Sequence, residues 1–232
     1  MGLGNFFLSE EPSIFEKMAF IIKTKGDTGA YGEYLTKYMF GSVRINGYHK
    51  ELCNIYVPYK ESTSEIDILV LHEKGIFVLE SKNYSGWIFG SEKQTKWTQM
   101  LNKNTKEQFY NPIKQNRTHI NALSKYLNID KSKMKSIIVF SERCELKKVP
   151  LDTDEYIIIK RDKLVEIIKK ETETEETKFS TEEVDNIYNR LFLLSQASEV
   201  TKQQHIIDIN KRLDEKEKQP TIKNDEKSML QQ

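Results

Sequence analysis

Three ionisable residues stand inside two apolar stretches of the segment SEIDILVLHEKGIFVLESKNYSG, residues 64–86. They are Asp67, Glu80 and Lys82. If the segment forms a hairpin with a tight turn at 73–74, Asp67 and Glu80 are equally far from the turn and face each other. Side chains alternate along a strand, so Glu80 and Lys82 share a face. The spacing predicts that all three groups project from one patch of a sheet.

These residue types suggest a metal site that cleaves phosphodiesters. Two carboxylates about 5 Å apart repel each other unless a cation lies between them. A hard ion such as Mg²⁺ or Mn²⁺ removes that repulsion, and the backbone carbonyl of Ser81 would add another oxygen ligand. Lys82 can orient or help to deprotonate an attacking water and can offset charge on the phosphate. The pattern therefore predicts metal-dependent hydrolysis.

An ion-pair cluster on a surface hairpin is the alternative, and it needs no catalytic function. The neighbouring residues argue against it, because both strands are apolar on both faces. Ile66, Ile68 and Val70 lie in one strand and the apolar run 76–79 lies in the other. Such strands are typically covered, and covered strands seldom bury charges that have no task.

The elements that position these residues follow from hydrophobic periodicity. Helices are predicted over 13–23 and about 27–40, and another begins with Asn111 as N-cap and Pro112 in its first turn. His119 would share a helix face with Gln115 and is expected at the surface or the edge of the core. Further strands are predicted at 51–57, ended by Pro58, and at 86–90, 95–100, 136–140 and 155–160, with a loop at 102–110 and helices at 161–171, 181–197 and 199–218.

Composition indicates one main globular domain in a chain of 232 residues. Lys and Arg (36) nearly balance Asp and Glu (35), so a polyanionic partner would need a local basic patch. Cys53 and Cys144 lack CxxC spacing, which favours a reducing, cytoplasmic setting, and no apolar run is long enough to span a membrane. The expected segments are an N-terminal helical segment at 1–26, a core that carries the candidate site at 27–145, its C-terminal completion at 146–198, and an amphipathic helix with a mobile tail at 199–232.

The stretch 93–135 is the candidate basic patch. It has ten Lys or Arg residues against two acidic ones, a net charge of +8. With Trp97, Phe109 and Tyr110 interleaved, it predicts a surface that follows a phosphate backbone and stacks exposed bases, although Trp87 and Trp97 are expected mainly in the core. An ordinary solvated face is the alternative. The residues assigned to nucleic-acid binding are Lys93, Lys96, Lys103, Lys106, Lys114 and Arg117.

A set of motifs occurs in one order along residues 28–142. They are GxxGE at 29–33, EID at 65–67, GIFVLESKNYSGWIFG at 75–90, Trp97, and NPxxQ at 111–115. Together these motifs resemble the nuclease-related domain (NERD) family, which belongs to the PD-(D/E)xK nuclease superfamily. The resemblance implies an α/β restriction-endonuclease-like fold, a mixed β-sheet flanked by helices, with extra C-terminal helices in this chain.

The resemblance also implies roles for particular residues. Asp67 and Glu80 would be metal ligands and Lys82 the catalytic lysine. Glu33 would be a helix-borne acid that approaches the metal, and Gln115 would lie beside the site. Ser81 replaces the Val or Ala that commonly separates the family's Glu and Lys, and Ile68 replaces a His that often follows the Asp. Neither change removes a ligand.

The sequence thus predicts a Mg²⁺- or Mn²⁺-dependent nuclease that acts on DNA, with RNA as a second candidate substrate. A catalytically silent nucleic-acid-binding or assembly module with a nuclease-like fold is the alternative. Residues 199–218 would form an amphipathic helix that docks on the domain or on a second copy of the chain. It is therefore a candidate homodimer interface, and a scaffold that dimerises through this helix is a third alternative.

Overall fold

The structure, a computed structural model, describes residues 45–102, 105–150, 152–174 and 176–218. The helices expected over 13–23 and 27–40, and Glu33 with them, lie outside these residues. The strands in chain order are β1 His49–Tyr59, β2 Ser62–His72, β3 Gly75–Lys82, β4 Gly86–Phe89, β5 Lys96–Met100, β6 Lys106–Tyr110, β7 Met134–Phe140, β8 Cys144–Lys147 and β9 Tyr156–Lys160. The helices are α1 Pro112–Leu127, α2 Leu164–Thr174, α3 Thr181–Phe192 and α4 Glu199–Lys218.

The larger sheet is mixed and has the strand order β1-β2-β3-β7-β9. The first three strands pair antiparallel, and β3, β7 and β9 pair parallel. A smaller sheet has the order β6-β5-β4-β8. These sheets, together with the helices, form the α/β architecture that the motifs implied.

The hairpin of β2 and β3 has the predicted register. Ile68 pairs with Leu79 and His72 pairs with Gly75, so the turn is at 73–74. The regular pairing ends at Ile68 and Leu79, one position before Asp67 and Glu80. These two acids therefore lie where the two strands stop pairing in the regular ladder.

Helix α1 covers one face of the larger sheet. Its Ala122, Leu123 and Leu127 pack with buried residues of β1, β2 and β3, and Val184 of α3 joins the same cluster. The opposite face packs against α2 through Leu164 and Ile168. Both faces of β3 are thus covered, as its apolar sequence predicted.

Three predictions about elements were wrong. Pro58 does not end β1 but pairs with Thr63 inside it. This is tolerated because β1 is an edge strand of the larger sheet among the described residues, so the N–H that Pro58 lacks interrupts no inner ladder. Residues 106–110 form β6 rather than a loop, because pairing with β5 stabilises a polar strand at the sheet edge. The helix predicted at 181–197 is α3 followed by a 3₁₀ turn at Leu193–Gln196.

The chain divides into two compact units, one that ends at Ala197 and one that begins at Ser198. The second unit contains α4, on which Val200, Ile206 and Ile207 are exposed. Among the helices in the described ranges, none is long and apolar enough to span a membrane.

Candidate active site

Glu80 and Lys82 share the face of β3 that α1 covers, as the strand alternation predicted. Only 1% of Glu80 is exposed to solvent. The ammonium Nζ of Lys82 lies 2.5 Å from Glu80 Oε1. The same Nζ donates to Oε1 of Gln115 on α1, at 3.1 Å. Strand β3 and helix α1 therefore hold these three side chains in one contiguous group.

His119 completes the contacts of Glu80, although the sequence placed it at the surface or core edge. Its Nε2 lies 2.9 Å from Glu80 Oε2, and its Nδ1 lies 2.7 Å from the hydroxyl of Ser64. An ionised carboxylate only accepts hydrogen bonds, so Nε2 bears the ring N–H and donates a hydrogen bond to Glu80 Oε2. The i,i+4 spacing to Gln115 was the sequence signal, and it indicated a shared face without showing that the face was buried.

The surroundings of Glu80 keep its carboxylate ionised. Burial alone would raise the pKa of Glu80, but the charge of Lys82 and the hydrogen bond from His119 outweigh burial and lower that pKa below its ordinary value. Burial would lower the pKa of Lys82, but the charges of Glu80 and Asp67 raise it instead. Lys82 is therefore an ammonium at neutral pH in this arrangement. It can donate hydrogen bonds and stabilise negative charge, but it is not a base.

Asp67 is aimed at β3 by a distortion of its own strand. Ile66 and Leu69 pack into the same hydrophobic cluster, although regular alternation would put residues three apart on opposite faces. Asn54, opposite Asp67 on β1, has a φ of 52°, which marks the break in regular strand geometry. The carboxylate Oδ2 of Asp67 consequently accepts a hydrogen bond of 2.8 Å from the backbone N–H of Ser81.

The carboxylates of Asp67 and Glu80 fit a divalent metal in chemical type. Carboxylate oxygens are the ligands that Mg²⁺ and Mn²⁺ prefer. No cluster of three or more His, Cys, Asp or Glu that could hold a metal occurs in the described part of the chain, and Glu33 lies outside it. Because Lys82 contacts Glu80 Oε1, a metal bound through this oxygen would share it with the ammonium. The site therefore offers two suitable carboxylates, one of which already contacts a cation.

The basic residues assigned to nucleic acid are spread over several elements. Lys96 and Lys106 are exposed on β5 and β6. Lys114 donates to the backbone carbonyl of Lys93, at 2.9 Å. Arg117 pairs with Glu92 at 2.9 Å and with Glu155 at 2.6 Å, so two carboxylates already compensate its charge. Lys103 lies outside the described residues.

The structure differs from the prediction in which aromatic side chains are buried and which are exposed. Trp97 is fully buried and packs against Phe140 with ring centroids 6.2 Å apart, so it cannot stack bases in this arrangement. Phe109 lies partly buried between Trp97 and Tyr84. Trp87 is 43% exposed and is not a core residue, because it lies on the outer face of the smaller sheet. The position of an aromatic residue in the sequence did not reveal which face of its strand is covered.

The fold is that of an α/β protein in which parallel and antiparallel strand pairs form sheets flanked by helices. Residues 28–141 match the family model of the nuclease-related domain. An uncharacterized protein of Bacillus anthracis is 34% identical over 164 residues, which are 70% of this chain and 74% of that relative. No solved structure gives a significant match. The chain belongs to the nuclease-related domain family, which confirms the resemblance that the motifs indicated.

Proposed function

We propose that the protein is a metal-dependent nuclease that hydrolyses phosphodiester bonds of DNA, with RNA as a second candidate substrate. The supporting observation is the convergence of β3 and α1 on one buried group. Lys82 contacts both Glu80 and Gln115 there, and Asp67 binds the backbone between Glu80 and Lys82. A purely structural ion pair would not need a second acid aimed at the same residues.

In this proposal each side chain has a separate task. Asp67 and Glu80 would hold Mg²⁺ or Mn²⁺, with Glu33 and the carbonyl of Ser81 as further ligands. The metal, when bound, supplies a water of lowered pKa and charge stabilisation at the phosphate. Lys82 stays protonated and donates to the attacking water or to a phosphate oxygen, and Gln115 fixes the direction of its ammonium.

The test is cleavage of plasmid, single-stranded DNA and RNA with Mg²⁺, Mn²⁺ or EDTA. Asp67→Asn is the sharpest variant, because its amide oxygen can still accept from Ser81 N–H while the ligand charge is lost. We expect metal-dependent cleavage in the wild type and a loss of at least about 100-fold in Asp67→Asn and in Lys82→Ala. Cleavage in EDTA, or full activity in Asp67→Asn, would refute the proposal.

One observation favours the second candidate, a silent binding or assembly module. Both oxygens of Glu80 already have partners, the ammonium of Lys82 and the imidazole Nε2 of His119, so the carboxylate is held without a metal. A silent module predicts nucleic-acid binding that is the same with Mg²⁺ and EDTA, and no cleavage by the wild type. The cleavage assay therefore separates the two candidates.

A further inference from the structure

We propose that Arg143 binds a backbone phosphate of the nucleic acid beside the cleavage site. The inference rests on the proposed function for the identity of the substrate. Arg143 lies two residues beyond the end of the family match, and it was not among the residues that the sequence assigned to nucleic-acid binding.

The position of Arg143 follows from the parallel part of the larger sheet. Strands β3, β7 and β9 run in the same direction, and Lys82, Phe140 and Lys160 pair in one row near their carboxyl ends. In α/β sheets, ligands bind beyond the carboxyl ends of parallel strands. Arg143 follows β7 by three residues, and Lys82 is the last residue of β3. Both cations therefore lie at the same edge of the sheet.

Hydrogen bonds fix the guanidinium of Arg143 next to the catalytic strand. Its Nη2 donates to the carbonyl oxygen and to Oδ1 of Asn83, at 3.2 and 3.1 Å. Its Nε donates to the hydroxyl of Ser141, at 3.3 Å. Asn83 directly follows Lys82, and the backbone N–H of Ser141 donates to the carbonyl of Lys82, at 2.9 Å. The position of the guanidinium is thus coupled to the residue that carries the catalytic ammonium.

No acid compensates the charge of Arg143 in the hydrogen bonds described above, because all of its acceptors are neutral. Two other arginines differ in this respect. Arg161 pairs with Glu142 and Arg117 pairs with Glu92 and Glu155. Arg143 is exposed and makes no ion pair with any acid in the described residues. Ser141 takes the N–H of Nε and Asn83 takes both N–H groups of Nη2, so a phosphate would accept from the N–H groups of Nη1 in this arrangement. An oriented guanidinium whose charge no acid compensates suits that role. The hydrogen bonds also reduce the side-chain entropy lost on binding.

A phosphodiester of the polymer fits this location better than a free phosphate. Lys82 and Lys160 lie in the same row of paired residues, near the carboxyl ends of β3 and β9, and they add further cations beside Arg143. A chain of phosphates can contact several of them at once, whereas a single phosphate contacts one or two. The phosphate bound by Arg143 would hold the strand in register and leave the scissile phosphate to Lys82.

The test measures binding of the full chain to fluorescein-labelled single-stranded and duplex oligonucleotides in EDTA, over a range of salt concentrations. Arg143→Gln should weaken binding about tenfold and reduce the slope of log K against log salt by about 0.7 to 0.9. Arg143→Lys keeps the charge and loses the planar fork, so it should recover part of the affinity. Inorganic phosphate, matched in phosphate concentration, should compete only weakly.

Arg190→Gln is the matched control because it changes the net charge equally. Arg190 is also exposed and also donates to neutral acceptors, the carbonyls of Tyr126 and Leu127. Those carbonyls end α1, about 18 Å along the helix from Gln115. Arg190→Gln should bind nucleic acid within twofold of the wild type. The inference would be overturned if both variants weakened binding equally, or if Arg143→Gln left binding unchanged. It would also be overturned if the wild type bound no nucleic acid, or if inorganic phosphate competed fully.

Thermal unfolding of each variant shows whether the fold is intact. If Arg143→Gln is unfolded, Arg143→Lys decides: affinity and salt slope equal to the wild type would overturn the inference, and a partial loss of affinity supports it. Binding in EDTA does not require catalysis, so the two proposals fail separately. If the wild type cleaves DNA and Arg143→Gln binds normally, the nuclease proposal stands and the phosphate site is refuted. If Arg143→Gln weakens binding but the wild type does not cleave, the phosphate site stands and the nuclease proposal is refuted.

Discussion

At the scale of single residues, Glu80 is the centre of the site. Its carboxylate is almost fully buried, and Lys82 and His119 each contact one of its oxygens. Such a charge is costly to bury unless it is paired. The pairing therefore has a stability consequence that can be measured apart from activity.

Removal of the charge of Lys82 should destabilise the fold. Lys82→Met keeps most of the apolar stem but leaves Glu80 without its closest cation, so we expect the free energy of unfolding to fall by about 3 kcal/mol. Urea denaturation measures this change. The double variant Glu80→Gln, Lys82→Met should be more stable than the single one, because no buried charge remains unpaired. A double variant less stable than Lys82→Met would contradict the role of the pair.

The lowered pKa of Glu80 sets the pH range of this stabilisation. The folded state holds the carboxylate ionised to lower pH than the unfolded chain does, so the contribution is complete above the ordinary value of 4.5 and is lost as pH falls through the lower folded pKa. We expect the stability difference between wild type and Glu80→Gln to persist at pH 5 and to shrink below pH 4.5. Loss of the difference between pH 7 and pH 5, followed by urea denaturation, would show that the pKa is not lowered.

His119 should act as a positioning residue for Glu80. If Glu80 holds a metal as proposed, loss of the hydrogen bond that orients its carboxylate should cost about 10- to 100-fold in activity or metal affinity. We expect His119→Ala to fall in that range, while His119→Gln, whose amide can still donate to Glu80, recovers part of the loss. Steady-state cleavage rates and Mn²⁺ affinity report the effect. Equal activity of the Ala and Gln variants, with equal thermal stability, would argue that the hydrogen bond has no such role.

At the scale of elements, α1 carries both Gln115 and His119 to the site. Its start is fixed by Asn111, whose Oδ1 accepts from the backbone N–H of Ile113 and whose Nδ2 donates to the carbonyls of Ser91, Glu92 and Gln94. One side chain thus caps the helix and ties it to the turn between β4 and β5. The position of the helix along the sheet depends on this residue.

Asn111→Ala should therefore destabilise more than the loss of an ordinary cap. A cap alone is worth about 1 kcal/mol, and the hydrogen bonds from Nδ2 to the carbonyls of the β4–β5 turn are lost as well, so we expect a loss of about 3 kcal/mol in urea denaturation. Asn111→Ser restores an acceptor for the helix and should recover about 1 kcal/mol. A change within 0.5 kcal/mol for Asn111→Ala would mean that water replaces these bonds without cost.

At the scale of the whole molecule, the two compact units raise the question of assembly. Helix α4 exposes Val200, Ile206 and Ile207 on a mostly charged helix. The sequence indicated this helix as a homodimer interface, and that interface stays a prediction.

A dimer through α4 would depend on these apolar residues. The variant Ile206→Glu, Ile207→Glu should shift the protein from dimer to monomer in analytical ultracentrifugation, because it places charges in the contact. Gln203→Glu, an exposed polar position on the same helix, should leave the assembly unchanged. A wild type that is monomeric at tens of micromolar would contradict the prediction.

The hairpin, its register and the start of α1 were determined by local sequence. The two apolar runs, the two-residue turn between them and the Asn-Pro pair at 111–112 each act through neighbours in the chain. The sequence alone therefore placed Glu80, Lys82 and Gln115 on their elements. Strands β6 and β8 were missed because they are short or polar and become strands only by pairing with β5 and β4.

Only the tertiary structure decided which of these side chains meet. The contacts of His119 with Glu80, the turn of Asp67 towards Ser81, and the neutral acceptors of Arg143 join residues far apart in sequence. Such contacts depend on how α1 lies on the sheet and where β1 and β2 are distorted, and neither is encoded in the period of a single segment. The sequence by itself therefore determined the candidate ligands and the family. Packing decided which charges are compensated and which remain available for a substrate.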